Sequence, residues 1–184
     1  MSTNVPVNLV YTAVVTTNEA YAGQTLQNTA QFAHSSGNGS AQASFTVQNV
    51  SNLGGSWKSA SATGKVLPGS LVTYIVTLSN SGGLNTTARI TDVLGSYYTV
   101  YNAMGFSQPT TGTLTWSGVV TAGQSVTLHF VVQVVGLTKL PLGTTTLNNS
   151  VQIDDGMHTP FTVNAPTPPW VEVYGIYLPC IAKN

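Results

Sequence analysis

The run Leu71-Val72-Thr73-Tyr74-Ile75-Val76-Thr77-Leu78 alternates with a period of two. Successive side chains of a strand point to opposite faces, so Val72, Tyr74, Val76 and Leu78 share one side. That side is the more apolar and is expected in the core. Short runs rich in Val, Thr, Tyr and Ile recur along the chain. No long stretch places apolar residues at the three- and four-residue spacing of a helix. The pattern predicts strands at 7–15, 25–33 and 42–50, then at 71–78, 88–93, 97–101, 112–116, 125–135, 144–153 and 160–163. Turn residues separate several of them: Ser79 to Gly83, Pro68-Gly69, Ala122-Gly123 and Asp155-Gly156. Gly37-Asn38-Gly39 reads as a hairpin tip. Many short strands with regular turns define an all-β chain of immunoglobulin-like antiparallel β-sandwich type.

The chain also repeats itself. Val7-Asn8-Leu9-Val10-Tyr11 matches Val126-Thr127-Leu128-His129-Phe130, and Gly23 to Asn28 matches Gly143 to Asn149. Phe45-Thr46-Val47 matches Phe161-Thr162-Val163, and Trp57 finds a counterpart in Trp170. This predicts one partial and one complete module plus a terminal strand. Residues 1–50 would be the back half of a repeat, 51–55 a linker, and 56–165 the complete sandwich. Residues 166–184 would be a Pro-rich spacer and tail strand, because Pro166, Pro168 and Pro169 cannot donate to a ladder. A sequence that starts mid-module and ends inside the next reads as a link in a series. The front segment lacks counterparts of several strands between Gly69 and Ser125, so it must be smaller or differently paired.

Composition changes the functional picture more than the fold. Charged residues make up 5% of the 184 positions, against about 25% in an ordinary soluble domain. Five Lys and Arg balance five Asp and Glu. No cationic cluster exists to neutralise phosphates, which excludes a nucleic-acid partner. Near-zero net charge favours association. No apolar run is long enough to span a bilayer, and the start lacks the basic and apolar regions of a secretory signal. Cys180 stands alone, so no internal disulfide staples the fold; a buried strand cysteine is the plain reading.

The stretch from Trp57 to Val163 resembles a family of immunoglobulin-like repeats found in tandem in large bacterial and archaeal cell-surface proteins. The resemblance rests on Lys58, Pro68-Gly69, Val72 to Val76, Asn80 to Gly82, Thr91-Asp92, Trp116, Gly123 to Leu128 and Leu147 to Asn149, in that order. Where the family usually has a proline shortly after the aspartate, this chain has Val93-Leu94-Gly95. The resemblance implies an extracellular or cell-surface setting and no catalytic activity. The ending Ile176 to Asn184 is similar to short Tyr-Leu-Pro endings of some secreted bacterial proteins.

Candidate chemistry is sparse. Asp154-Asp155-Gly156 with His158 offers too few carboxylates for calcium and reads as a tight turn, so no metal is assigned. No cofactor is implied. His34, His129 and His158 lie far apart, no Gly-x-Ser-x-Gly elbow appears, and Glu19, Asp92, Asp154, Asp155 and Glu172 have no motif context. The chain is therefore not expected to be an enzyme. One covalent possibility stands out. Lys58 on the first strand, Asp92 on a middle strand and Asn149 on a late strand could meet in the core. A neutral buried lysine could there attack the asparagine amide beside a protonated carboxyl, forming an isopeptide bond. The competing and preferred reading is a surface lysine, a capping aspartate and a turn asparagine. Asn38, Asn49, Asn85 and Asn148 begin sequons, Asn38 and Asn85 being the better placed in loops. Tyr97, Tyr98 and Tyr101 form either a sugar-stacking platform or, more commonly for such a strand, core.

These features point to a structural subunit of an extracellular filament or surface lattice. It would polymerise head to tail with copies of itself by β-strand complementation, a neighbour's strand completing an open edge. The preferred donor is the tail, with Trp170, Tyr174, Ile176 and Leu178 as pocket fillers; the strand at 5–15 is the second choice. The alternative is a stalk or adhesin module of a larger cell-surface protein. A carbohydrate-binding domain for surface glycans is the third.

Overall fold

A computed structural model gives the structure of residues 10–13, 21–47 and 50–175. Fourteen strands run in chain order among them: β1 (Thr25–His34), β2 (Gly37–Thr46), β3 (Trp57–Ala60), β4 (Lys65–Val66), β5 (Leu71–Ser79), β6 (Thr86–Val93) and β7 (Tyr98–Asn102). Then come β8 (Ser107–Thr110), β9 (Thr113–Val120), β10 (Ser125–Val134), β11 (Gly143–Thr146), β12 (Ser150–Asp154), β13 (Phe161–Asn164) and β14 (Trp170–Val173). Helical geometry among the described residues is confined to 3-10 turns, at Tyr21 and over Leu137–Lys139. The all-β expectation holds.

Two sheets form the sandwich. One has the order β3-β5-β10-β7 and the other β13-β12-β6-β9-β8, with every neighbouring pair antiparallel. Val72, Tyr74, Val76 and Leu78 are all fully buried, on the face that the alternation assigns. Ala88 and Ile90 of β6, Phe130 and Val132 of β10, and Val151 and Ile153 of β12 join them in one core. A small third sheet, β11-β14-β4, closes one side, and its β14–β4 pairing is the one parallel pairing among the described residues.

Several boundaries differ from expectation for visible reasons. The predicted strand at 144–153 is two strands in different sheets: β11 pairs with β14, and β12 pairs with β6 and β13. The segment between them is held at both ends. Leu147 N–H donates to the Pro169 carbonyl at 2.9 Å, and the Asn149 carbonyl accepts from Ala165 N–H at 3.3 Å. Residues 51–55, expected as a linker, belong to the sandwich. Leu53 is 2% exposed, and Ser51 Oγ donates to Asp155 Oδ2 at 2.9 Å. Asn52 N–H donates to Asn80 Oδ1 at 3.0 Å. Gly82 permits this packing, since a Cβ there would strike the Val50 carbonyl and the backbone of residues 51 and 52. At the other end β14 lies between β11 and β4 with Val171 fully buried. The sandwich therefore runs from about Ser51 to Val173, not 56–165, because both flanks carry apolar residues that complete its core.

The front segment is a separate two-stranded hairpin. β1 and β2 pair without a break from Thr25↔Thr46 to His34↔Gly37. Its tip is Ser35-Ser36, and Gly37-Asn38-Gly39, expected as the tip, lies within β2. Gly39 faces Phe32, whose ring occupies the space a Cβ would need. Of the predicted strand at 7–15 only residues 10–13 are described, and these are not in a strand. The strand expected at 42–50 ends at Thr46.

Candidate functional site

The alternation of β6 buries Thr86, Ala88 and Ile90, and Asp92 continues that series. Asn149, Val151 and Ile153 form the matching inward series leading into β12. Val151 pairs directly with Asp92, so Asn149 is the diagonal neighbour of Asp92 on the same inner face. Lys58 comes from the opposite sheet. It pairs with Val76 on β5 and points inward, while Trp57 beside it is 49% exposed. Lys58, Asp92 and Asn149 are only 2%, 0% and 5% exposed. The surface-lysine, capping and turn reading of these three residues does not describe where they lie.

Lys58 Nζ donates to Asp92 Oδ2 across the core. The amine stands 4.8 Å from the centre of the Tyr74 ring and 5.5 Å from that of Phe130, which wall it from water. Burial pushes the Lys58 pKa down, against the pull of Asp92 in the other direction. Burial likewise pushes Asp92 up, against Lys58 and the adjacent Asn149 amide. Both partners are thus driven toward their neutral forms. The ion pair and the neutral pair differ only by a proton passed between the two residues, so no exchange with solvent is needed to interconvert them.

The Asn149 amide lies beside the Asp92 carboxyl, near enough to favour its charged form. No hydrogen bond joins the two: Asn149 Nδ2, Asn149 Oδ1 and Asp92 Oδ1 are all buried without a partner. Such orphans are rare in folded proteins because each costs about 1–3 kcal/mol. The backbone just before Asn149 is fixed by a tyrosine relay. Tyr74 and Tyr98 hydroxyls meet at 2.7 Å, and Tyr98 Oη donates to the Leu147 carbonyl at 3.0 Å. Burial and the Tyr98 bond raise the Tyr74 pKa; burial raises that of Tyr98 to about 12. Both hydroxyls therefore stay protonated as donors. In the sequence, the aromatic run that contains Tyr98 is the one sign of this relay.

The remaining candidates are scattered. Tyr98 is buried, Tyr97 is packed against the core edge, and Tyr101 is 62% exposed, so the three share no single platform. Asp155 accepts from Met157 N–H, His158 N–H and Ser51 Oγ, and meets His158 Nδ1 at 2.7 Å. Asp154 Oδ1 accepts from Gly156 N–H at 2.7 Å. The two carboxylates are thus occupied in shaping the turn after β12. No group of three metal-ligating side chains occurs among the described residues. Of the sequons, Asn38 and Asn148 are exposed, and Asn85 is exposed with its Oδ1 accepting from Ala122 N–H. Asn49 lies outside the described residues.

Of the candidate donor residues, Trp170 is half-buried within β14 of its own sandwich, and Tyr174 is 72% exposed just after it. Ile176, Leu178 and Cys180 lie outside the described residues. Lys65 pins this end: its Nζ meets Glu172 Oε2 at 2.8 Å and lies over the Trp170 and Tyr174 rings.

No family model matches the chain, and no curated protein matches it closely. Among solved structures it is similar to a protein described as membrane-anchored from Corynebacterium diphtheriae, at 14% identity and a TM-score of 0.43. That match covers 88% of this chain and 47% of the other, so the chain spans less than half of that protein. It is also similar to the collagen-binding subdomain of the Enterococcus faecalis surface protein ACE, at 11% identity and a TM-score of 0.37. There the match covers 64% of this chain and 96% of the other. Both likenesses are distant. No helix among the described residues is long and apolar enough to cross a membrane.

Proposed function

We propose that this chain is a structural module of an extracellular surface protein, one bead of a stalk or adhesin rather than an enzyme. The observation that carries this reading is the direction of the chain through the sandwich. β3 and β4 run toward the Pro68-Gly69 turn, since β3 is antiparallel to β5 and the pairing continues with Ser61 N–H donating to the Thr73 carbonyl. β14 runs parallel to β4. The chain therefore enters at the end near Asn80 and leaves at the end near Gly69. Modules threaded in this way string in line. The low charge, the internal repeat and the resemblance to tandem surface repeats support the same reading, as does the employment of the described carboxylates in structural contacts.

A head-to-tail filament of copies is the second reading, and a different observation favours it. Leu26, Ala30, Phe32, Ala41, Ala43 and Phe45 line one face of the front hairpin, and Phe32 and Phe45 are about half exposed. Strand donation by the tail loses support, because β14 already occupies the slot between β4 and β11 in its own sandwich. Electron microscopy of the purified chain separates the two readings. Single particles are expected for a stalk module, and periodic fibres would overturn it in favour of the filament.

A further inference from the structure

We propose that Lys58 and Asn149 become joined by an intramolecular isopeptide bond, formed by the folded protein itself with Asp92 as the catalytic residue. The argument is independent of whether the module serves a stalk or a filament. An amine from β3, a carboxyl from β6 and a carboxamide from the segment entering β12 converge in a sealed apolar core between the two sheets. Three polar atoms of this group have no partner. A buried ion pair alone explains neither the orphaned amide nor its position beside the carboxyl, and such pairs are commonly no better than apolar packing.

The reaction balances without any co-reactant. The neutral Lys58 Nζ adds to Asn149 Cγ, while protonated Asp92 donates to Asn149 Oδ1 and draws electrons from that carbon. The carboxyl then relays one proton from Nζ to Nδ2. The Cγ–Nδ2 bond breaks, and Nδ2 departs as ammonia with its own two hydrogens and the relayed one. Asp92 ends protonated, as it began. The product also removes the orphans: the new amide N–H faces one Asp92 oxygen, and the Asp92 O–H faces the new carbonyl. Burial supplies the two conditions the step needs, a free amine and a protonated acid, at a pH where both would be charged in water. Fixed placement replaces the encounter that makes amide exchange slow in solution.

The bond would tie β3 directly to the segment entering β12, on the far sheet. Tension entering near Ser51 and leaving after Val173 would bypass residues 59–148.

Intact-mass measurement of the purified, folded full chain decides the matter. The expected result is a mass below that of the terminus-processed sequence by one ammonia, with a branched peptide joining Lys58 to Asn149 after proteolysis. Lys58→Met and Asp92→Asn should each restore the sequence mass and abolish the branched peptide. A wild-type chain at its full sequence mass, with no branched peptide, overturns the proposal whether or not the variants fold. An ammonia loss that persists in Asp92→Asn overturns the role given to the carboxyl. An ammonia loss mapped to another asparagine, as in succinimide formation, overturns the bond.

Discussion

The front hairpin and the sandwich are built from the same kind of strand, yet they end in opposite states. β1 and β2 pair over ten residues each, longer than any antiparallel pair in the sandwich, and still leave Phe32 54% and Phe45 52% exposed. β5 is one residue shorter and buries its whole inner series. Hydrogen bonding along the ladder is equally complete in both. The difference is the second layer: among the described residues only the sandwich has another sheet against its apolar face, and a lone two-stranded ribbon is marginal without one. Stability in this chain thus resides in what faces a strand rather than in what pairs beside it.

That contrast is broken most severely at the tail. Ending the chain after Pro169 removes β14, exposing the edges of β11 and β4 with Val66 on the latter, and discards the buried Val171 and Val173. Burying a valine contributes roughly 1.5–3 kcal/mol, so the loss is on the order of 5 kcal/mol. A domain has about 5–15 kcal/mol in all. Denaturant unfolding of the truncated chain should show a sharply lowered midpoint or no cooperative transition. An unchanged midpoint would mean that β14 is an appendage, available to another molecule after all.

A buried polar residue gives the next largest effect. Asn80 Oδ1 accepts from Asn52 N–H and Gly82 N–H, and its Nδ2 donates to the carbonyls of Leu84 and Val120. It stitches the entry segment to two turns while 1% exposed. Asn80→Ala leaves these groups unpaired and should cost about 3 kcal/mol in the same unfolding measurement.

How much of this was legible in the sequence follows from phase. The inner face of β5 was read from alternation alone, because a strand with one buried face repeats every two residues. Asp92 and Asn149 were placeable by the same rule: Asp92 is in phase with Ala88 and Ile90, and Asn149 with Val151 and Ile153. A polar residue in phase with apolar ones signals burial, and that cue outweighs the general preference of charged residues for the surface. Lys58 was harder. Trp57-Lys58-Ser59-Ala60 invites the opposite phase, with the indole inside, and only the pairing of Lys58 with Val76 fixes the inward choice. Boundaries failed where partners decide them. The break between β11 and β12 exists because two different sheets take up the two halves of one stretch of chain, and Ser51 to Gly55 packs because Gly82 leaves room for it. Neither cause is local.

Acid should separate the regions more gently. Burial alone would raise the Asp155 pKa. Hydrogen bonds from the His158 side chain, the His158 and Met157 backbone and Ser51 overcome this and hold the carboxyl well below the usual carboxylate range. A group whose pKa is depressed by folding stabilises the native state above its unfolded value, about 3.9, and loses that contribution as pH falls toward the folded value. Sandwich stability should therefore decline below about pH 4, with Asp155→Asn flattening that decline. A variant with the same acid slope as wild type would show that Asp155 does not set it.

The smallest expected effect tests the hairpin itself. Phe32→Ser removes one of the two phenylalanines from the uncovered face, where its ring lies over Gly39. Were that face packed on the sandwich, the change would resemble a core truncation, costing about 3–5 kcal/mol. As an exposed position it should shift the sandwich midpoint by no more than about 0.5 kcal/mol. The informative readout is therefore concentration dependence. If Phe32 and Phe45 are covered by a second copy, wild type should sediment faster as concentration rises, and Phe32→Ser should not. A wild-type chain that stays monomeric throughout would leave the hairpin's apolar face as an exposed ribbon, and the stalk reading would need no self-association.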